Sequence, residues 1–375
     1  MGRSRSIATV AALFAVVLSL TAPTTAPAVS ASLKQSVSLQ ALPQLADPGA
    51  TPRPAAVALT TLDASFAPVV PGRVSILEVK RGRDWVEVAR GSQDLTGRSI
   101  FQAAYANNGT PETYRVVAAR TSSYQQATSG TVSTSAWGVP IFSDEFSGTA
   151  LSWPWDQRYQ GYEVASRSCS KTDPRASVVG AGVLSLKVLD DPERDDVCNY
   201  TVNDQPLSTF YRINGNVGTH GRFAYRYGVA AARIKFQGPR GQHGAFWMQP
   251  QGTGGAEIDV IEWFGTISKG LASGVWDYSS GTPVRKAGGF IDNQPAFGSG
   301  WAETYHVFSV EWTPTEYIFR IDGKVSLRTT AGVSQTEEYL ILSLLVSNWE
   351  AANLPSPDSL PTSMDVDWVR VWQKA

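Results

Sequence analysis

The chain is short of charge and of sulfur. Only 17% of its 375 residues are Asp, Glu, Lys or Arg, and the formal net charge is -1. No block of basic residues occurs, which excludes nucleic acid and an anionic membrane surface as partners. There are three histidines and two cysteines, Cys169 and Cys198, and neither cysteine has the histidine neighbours that a catalytic thiol or a zinc site requires. Long helical periods are missing throughout. Apart from one apolar run at the start, no stretch approaches the roughly 20 residues needed to span a bilayer as a helix.

What is present is glycine, proline and tryptophan: 33, 22 and 12 residues, a composition suited to β-rich architecture. The length exceeds one ordinary domain. Residues 1–31 read as an export signal, with Arg3 and Arg5, an apolar run from Ile7 to Leu20, and small residues around Ala28 to Ser32. Export permits a disulfide, so Cys169 and Cys198 are expected to pair, closing a loop of about 30 residues worth roughly 3 to 4 kcal/mol of chain entropy. The protein is therefore expected outside the cell, acting as a monomer.

Residues 32–135 carry short alternating runs, GRVSILEVK from Gly72, WVEVA from Trp85 and TYRVVA from Thr113, separated by turn residues. They predict a small immunoglobulin-like β-sandwich, serving as a spacer in preference to a carbohydrate-binding module, because few aromatics beyond Tyr105 and Tyr124 are free to form a platform. Residues 136–375 read as β throughout. Two stacked antiparallel sheets are expected, with a groove on the open face of one.

The most informative stretch is Glu257-Ile258-Asp259-Val260-Ile261-Glu262. Acids are depleted from strands and costly to bury unpaired. Strict alternation places Glu257 and Asp259 on one face and Glu262 on the other, whereas a β-bulge near Val260 and Ile261 returns Glu262 to the acidic face. Three carboxyls over an aliphatic floor suit a retaining glycosidase, which needs a nucleophile and an acid roughly 5 to 5.5 Å apart. The residues by themselves leave two other readings open, oxygen ligands for a hard cation and a solvated strand edge.

Seven pieces in order carry a resemblance: SDEFSG at Ser143, YGVAAARIKF at Tyr227, GAFWMQP at Gly244, EIDVIE at Glu257, HVFSVEW at His306, FRIDG at Phe319 and VDWVRVWQ at Val366. Over residues 142–373 the chain resembles glycoside hydrolase family 16, the laminarinases and lichenases, whose fold is a curved β-jelly roll. The resemblance implies retaining endo-hydrolysis of a β-linked polysaccharide, most of all β-1,3-glucan and next mixed-linkage β-1,3-1,4-glucan. Glu257 then matches the nucleophile, Asp259 its electrostatic helper and Glu262 the general acid/base, with no cofactor for the chemistry. A structural calcium is implied at positions matching Glu145, the Gly182 carbonyl and Asp367, the alternative being ordinary surface acids.

Expected substrate contacts are Arg233, His243, Trp247, Trp276 and Trp349; His220 is a weaker candidate, and His306 reads as structural. The chain departs from the family pattern at Ala231, where a glutamate is usual, at Ala256, where a tryptophan is often near, and at Gly274-Val275-Trp276, where laminarinases tend to carry a histidine. These changes leave open a galactan-type polysaccharide as substrate, or a jelly roll that binds glycans without cleaving them.

Overall fold

The computed structural model describes residues 1–2, 32–265, 270–279 and 281–374, so all of the expected export signal over 1–31 except its first two residues lies outside the described residues. The described chain is nearly all β, as the alternating and apolar runs predict. Residues 36–133 form two small sheets and a two-stranded ribbon of Ala106–Asn107 with Thr110–Pro111. One holds the strands Ser36–Ala46, Leu59–Ala67 and Arg98–Ala103; the other is built on Val74–Arg81, Asp84–Ser92 and Thr113–Ala118. Alternation in Val74–Arg81 sends Leu77 and Val79 inward to meet Leu62, Phe66, Phe101 and Val116 in a core of their own.

The remainder is a jelly roll of two curved antiparallel sheets. The inner sheet runs in the order Arg212–Gly218, Glu338–Leu345, His243–Pro250, Glu257–Trp263, Leu271–Asp277 and Val284–Phe290. The outer sheet centres on Thr362–Trp372, Gly228–Lys235 and His306–Trp312. Arg212–Gly218 belongs to both, pairing with Val183–Asp190 at one end and Glu338–Leu345 at the other. Ile258, Val260 and Ile261 from the inner sheet pack against Ile234, Phe308 and Val366 from the outer one, all under 3% exposed.

Period-two alternation in Gly228–Lys235 decides the fate of Arg233. Ala230, Ala232 and Ile234 face the jelly-roll core, so Val229, Ala231 and Arg233 face outward. That outer face is not open: Val229, Ala231, Val307, Trp368 and Trp372 are covered by Leu42, Leu45, Ala55 and Ala58 from the first strand and the segment after it. Arg233 is fully buried there. Its Nε donates to the Asp47 carbonyl (2.7 Å) and its Nη1 to the Thr51 carbonyl (3.0 Å) and to Asp367, while the guanidinium lies 4.7 Å from the centre of the Tyr305 ring. Arg233 is thus a junction residue and not a substrate contact. The change at Ala231 likewise has no bearing on the sugar.

The expected calcium ligands do not fit a metal. Asp367 is taken by Arg233 and by the Arg53 amide (3.0 Å), and Glu145 by Arg370 (2.8 Å). Among the described residues no group of three or more His, Cys, Asp or Glu side chains is placed to hold an ion. Gly182 sits in the turn before Val183–Asp190 at φ +75°. Cys169 and Cys198 are bonded to each other, as expected.

Candidate active site

The acidic strand is bulged where the sequence requires it. Against His243–Pro250, Phe246 pairs with Ile261 but Trp247 pairs with Asp259, so Val260 is the extra residue; against Leu271–Asp277 the register also shifts between Asp259 and Glu262. The bulge lets Ile258, Val260 and Ile261 all enter the core while Glu257, Asp259 and Glu262 line one cavity of about 320 Å³ on the concave face. The three acids are brought together.

Each carboxyl meets a different environment. Glu257 accepts from Gln249 Nε2 (3.1 Å) and the Tyr278 hydroxyl (3.3 Å). Burial raises its pKa, and those two donors with Arg158 and Arg167 oppose the rise. Asp259, 5% exposed, accepts from Trp276 Nε1 at 2.8 Å. Burial first, then the charges of Glu262 and Glu257, push its pKa well above the usual carboxylate range, against the Trp276 bond. Glu262 is also raised, by burial and by Glu257 and Glu350, with His243 and Arg167 opposing.

Of the expected substrate contacts, His243 and Trp247 line the same cavity. His243 begins its strand; its Nδ1 lies 2.7 Å from Glu350 and its ring stacks on Phe264. Trp247 is fixed by a bond from Nε1 to Ser343 Oγ (3.0 Å), and Arg158 lies 5.0 Å from its ring centre. Trp276 reaches the site through Asp259 and lines an adjoining recess with Glu262, Gly274 and Phe290. Trp349 is 56% exposed at the rim, 5.8 Å from the Phe264 ring. His220 packs edge-on to Tyr339 and is not among the residues that line this cavity. His306 is buried between Asp322 and Thr304, a satisfied structural residue.

Sequence reasoning missed a whole wall. Arg158, Gln160 and Arg167 come from the irregular segment before Cys169, Asn216 from the shared strand, and Tyr278 from the end of Leu271–Asp277. No periodic pattern marks them. For Arg167 the single available signal is its place two residues before a cysteine expected to be bridged.

Residues 191–370 match the family model described as Glycosyl hydrolases family 16. That segment is a glycosyl hydrolases family 16 domain. Its family domain is similar to the glucan endo-1,3-beta-glucosidase A1 of Niallia circulans, 27% identical over 62% of this chain and 38% of that protein, so the chain spans well under half of that relative. It is also similar to the keratan-sulfate endo-1,4-beta-galactosidase of Sphingobacterium multivorum, 26% identical over 74% of this chain and 65% of that protein. The laminarinase structure from Rhodothermus marinus superposes with a TM-score of 0.51 at 20% identity, over 63% of this chain and 98% of that one, which shows the shared fold.

Proposed function

We propose that this chain hydrolyses a β-linked glucan at internal bonds with retention of configuration, acting on β-1,3-glucan or on mixed-linkage β-1,3-1,4-glucan. The observation that carries the reading is the bulged strand that turns three carboxyls of unlike environment into one cleft. Glu257 has two hydrogen-bond donors and faces two guanidiniums, so the site's negative charge settles there and Glu257 attacks the anomeric carbon. Glu262, raised by burial and like charge, holds its proton and delivers it to the leaving glycosidic oxygen. Water then enters; Glu262, now a base, takes its proton, and the glycosyl bond to Glu257 breaks. Asp259, buried between the two, lowers the cost of moving charge from one to the other.

Export of the mature chain is supported by the character of residues 1–31 and by the Cys169–Cys198 bridge, and it is proposed to act as a monomer. The domain limits 32–135 and 136–375, with the first an immunoglobulin-like brace, are supported by its separate core. A second reading, internal hydrolysis of a galactan-type polysaccharide, is favoured by the similarity to the Sphingobacterium multivorum galactosidase. Incubation with laminarin, lichenan, agarose and keratan sulfate, followed by product analysis, separates the two. Binding without cleavage of any of them would leave a glycan-binding jelly roll.

A further inference from the structure

Arg167 closes the short turn Ala165–Arg167 at the edge of the cleft and belongs to none of the sheets. Its guanidinium faces the carboxyls of Glu350, Glu262 and Glu257. Its Nη1 is buried without a hydrogen-bond partner among the described residues, although Arg167 lines the cavity that holds the catalytic glutamates. Two further buried polar atoms on the same wall, Gln160 Oε1 and Asn216 Oδ1, also lack partners, and Asn216 is only 4% exposed. A guanidinium can only donate and these oxygens can only accept, and all three orphaned groups lie just behind the cavity surface against which a glycan residue would rest.

The turn that carries Arg167 is held on both sides. Asn348 Nδ2 donates to the Ala165 carbonyl (2.9 Å) and to Ser168 Oγ (3.1 Å). Two residues beyond Arg167, Cys169 is bonded to Cys198, and its carbonyl accepts from the Arg212 amide at 3.0 Å. The segment is otherwise irregular, so these ties are what keep a cation over the acids.

We propose that Arg167, held in place by the Cys169–Cys198 bridge, lies against the sugar at the bond to be cleaved and supplies the positive charge that both catalytic glutamates face. The proposal rests on the glucanase reading given above and adds to it a contact and a charge. In the free enzyme the groups facing Glu257 are Gln249, Tyr278, Arg158, Arg167 and its strand neighbours Asp259 and Glu262; those facing Glu262 are His243, Glu350, Arg167, Glu257 and Asp259. Arg167 opposes the upward shift of both glutamates, so its loss raises both further and moves both limbs of the kcat/KM profile to higher pH.

The test compares the wild-type chain with R167M and R167K on laminarin. R167M is expected to lose about ten- to a hundredfold in kcat/KM, the range for a lost hydrogen bond to a charged donor, and both pH limbs are expected to rise. R167K, which keeps the charge but not the planar fork, should return the limbs toward their original positions while KM stays high. In the inactive E257Q background, adding R167M should weaken laminarihexaose binding, read by calorimetry. The C169S/C198S double variant, with Arg167 intact, should lower kcat/KM in the same sense while circular dichroism shows the β fold retained. Wild-type kcat/KM and pH limbs in R167M, or undiminished hexaose binding by E257Q/R167M, overturn the proposal. A wild-type chain that cleaves no laminarin or lichenan overturns the glucanase reading instead, and the binding comparison still decides the role of Arg167.

Discussion

At the scale of single residues, the site works by giving chemically similar carboxyls different neighbours. Glu257→Gln removes the nucleophile but keeps its shape, an oxygen to accept from Gln249 and an NH2 that the Tyr278 hydroxyl can turn to accept from, so turnover should vanish while the thermal unfolding midpoint stays close to that of the wild type. Glu262→Ala should be partly rescued by azide on an aryl glycoside with a good leaving group, because that substrate needs no proton donor and the anion replaces water. An inverted product, read early in the reaction by NMR, would exclude the two-step scheme. Trp276→Phe deletes the one donor to Asp259 among the described residues, removing its bond at 2.8 Å to a buried carboxyl. The expected cost is about ten- to a hundredfold in kcat, on the scale of a lost hydrogen bond to an ionisable group, with a smaller change in KM.

At the scale of the element, the bulge at Val260 is what fits three acids and three aliphatics onto two faces. Deleting Val260 leaves Glu257-Ile258-Asp259-Ile261-Glu262, in which strict alternation still sends all three acids to the cleft and both isoleucines to the core. The shortened chain should therefore fold, with a loss of about 1.5 to 3 kcal/mol for the missing buried valine read by urea unfolding, whereas Val260→Ala, which keeps the bulge, should fold and retain activity. The turn before this strand carries its own titration. Glu338, fully buried, accepts from the Ala256 amide (3.2 Å), and burial pushes its pKa from 4.5 up to about 8. The folded state therefore keeps a proton that the unfolded chain has lost, and stability falls as pH rises from 4.5 to about 8. Glu338→Gln should flatten that part of the stability curve measured by urea unfolding across pH.

The bulge was legible in the sequence because three acids and three aliphatics must be sorted onto two faces, and a single inserted residue does it. The inner strand Gly244–Pro250 was legible for the same reason. Arg233 was not: alternation fixes which residues share its face but not which of the two faces meets the sugar. The wall of Arg158, Gln160 and Arg167 escaped because irregular segments have no period to read, and their side chains reach the cleft only through the path of the backbone.

At the scale of the whole molecule, the front sandwich and the jelly roll meet through buried groups of both kinds. Arg233 is enclosed by Asp47, Thr51 and Asp367, and Arg320 by Glu311 and Asp63. Arg233→Leu leaves Asp367 buried without its cation and Asp47 with Arg53 alone, an expected loss of about 3 to 5 kcal/mol. Calorimetry should show it as a lower melting temperature for the whole molecule, with kcat/KM on laminarin unchanged below the transition, because Arg233 lies on the face opposite the cleft.

The apolar seam formed by Leu42, Leu45, Val229, Ala231, Trp368 and Trp372 bears on how the protein withstands other enzymes in its surroundings. A protease that cuts the connecting stretch near Val139, which is 83% exposed, severs the chain without separating its halves. The nicked product should run as two bands on a denaturing gel and as one particle by size exclusion, still degrading glucan. Only a second cut, within the segment that threads Asp47 to Thr51 against Arg233, would let the two parts drift apart.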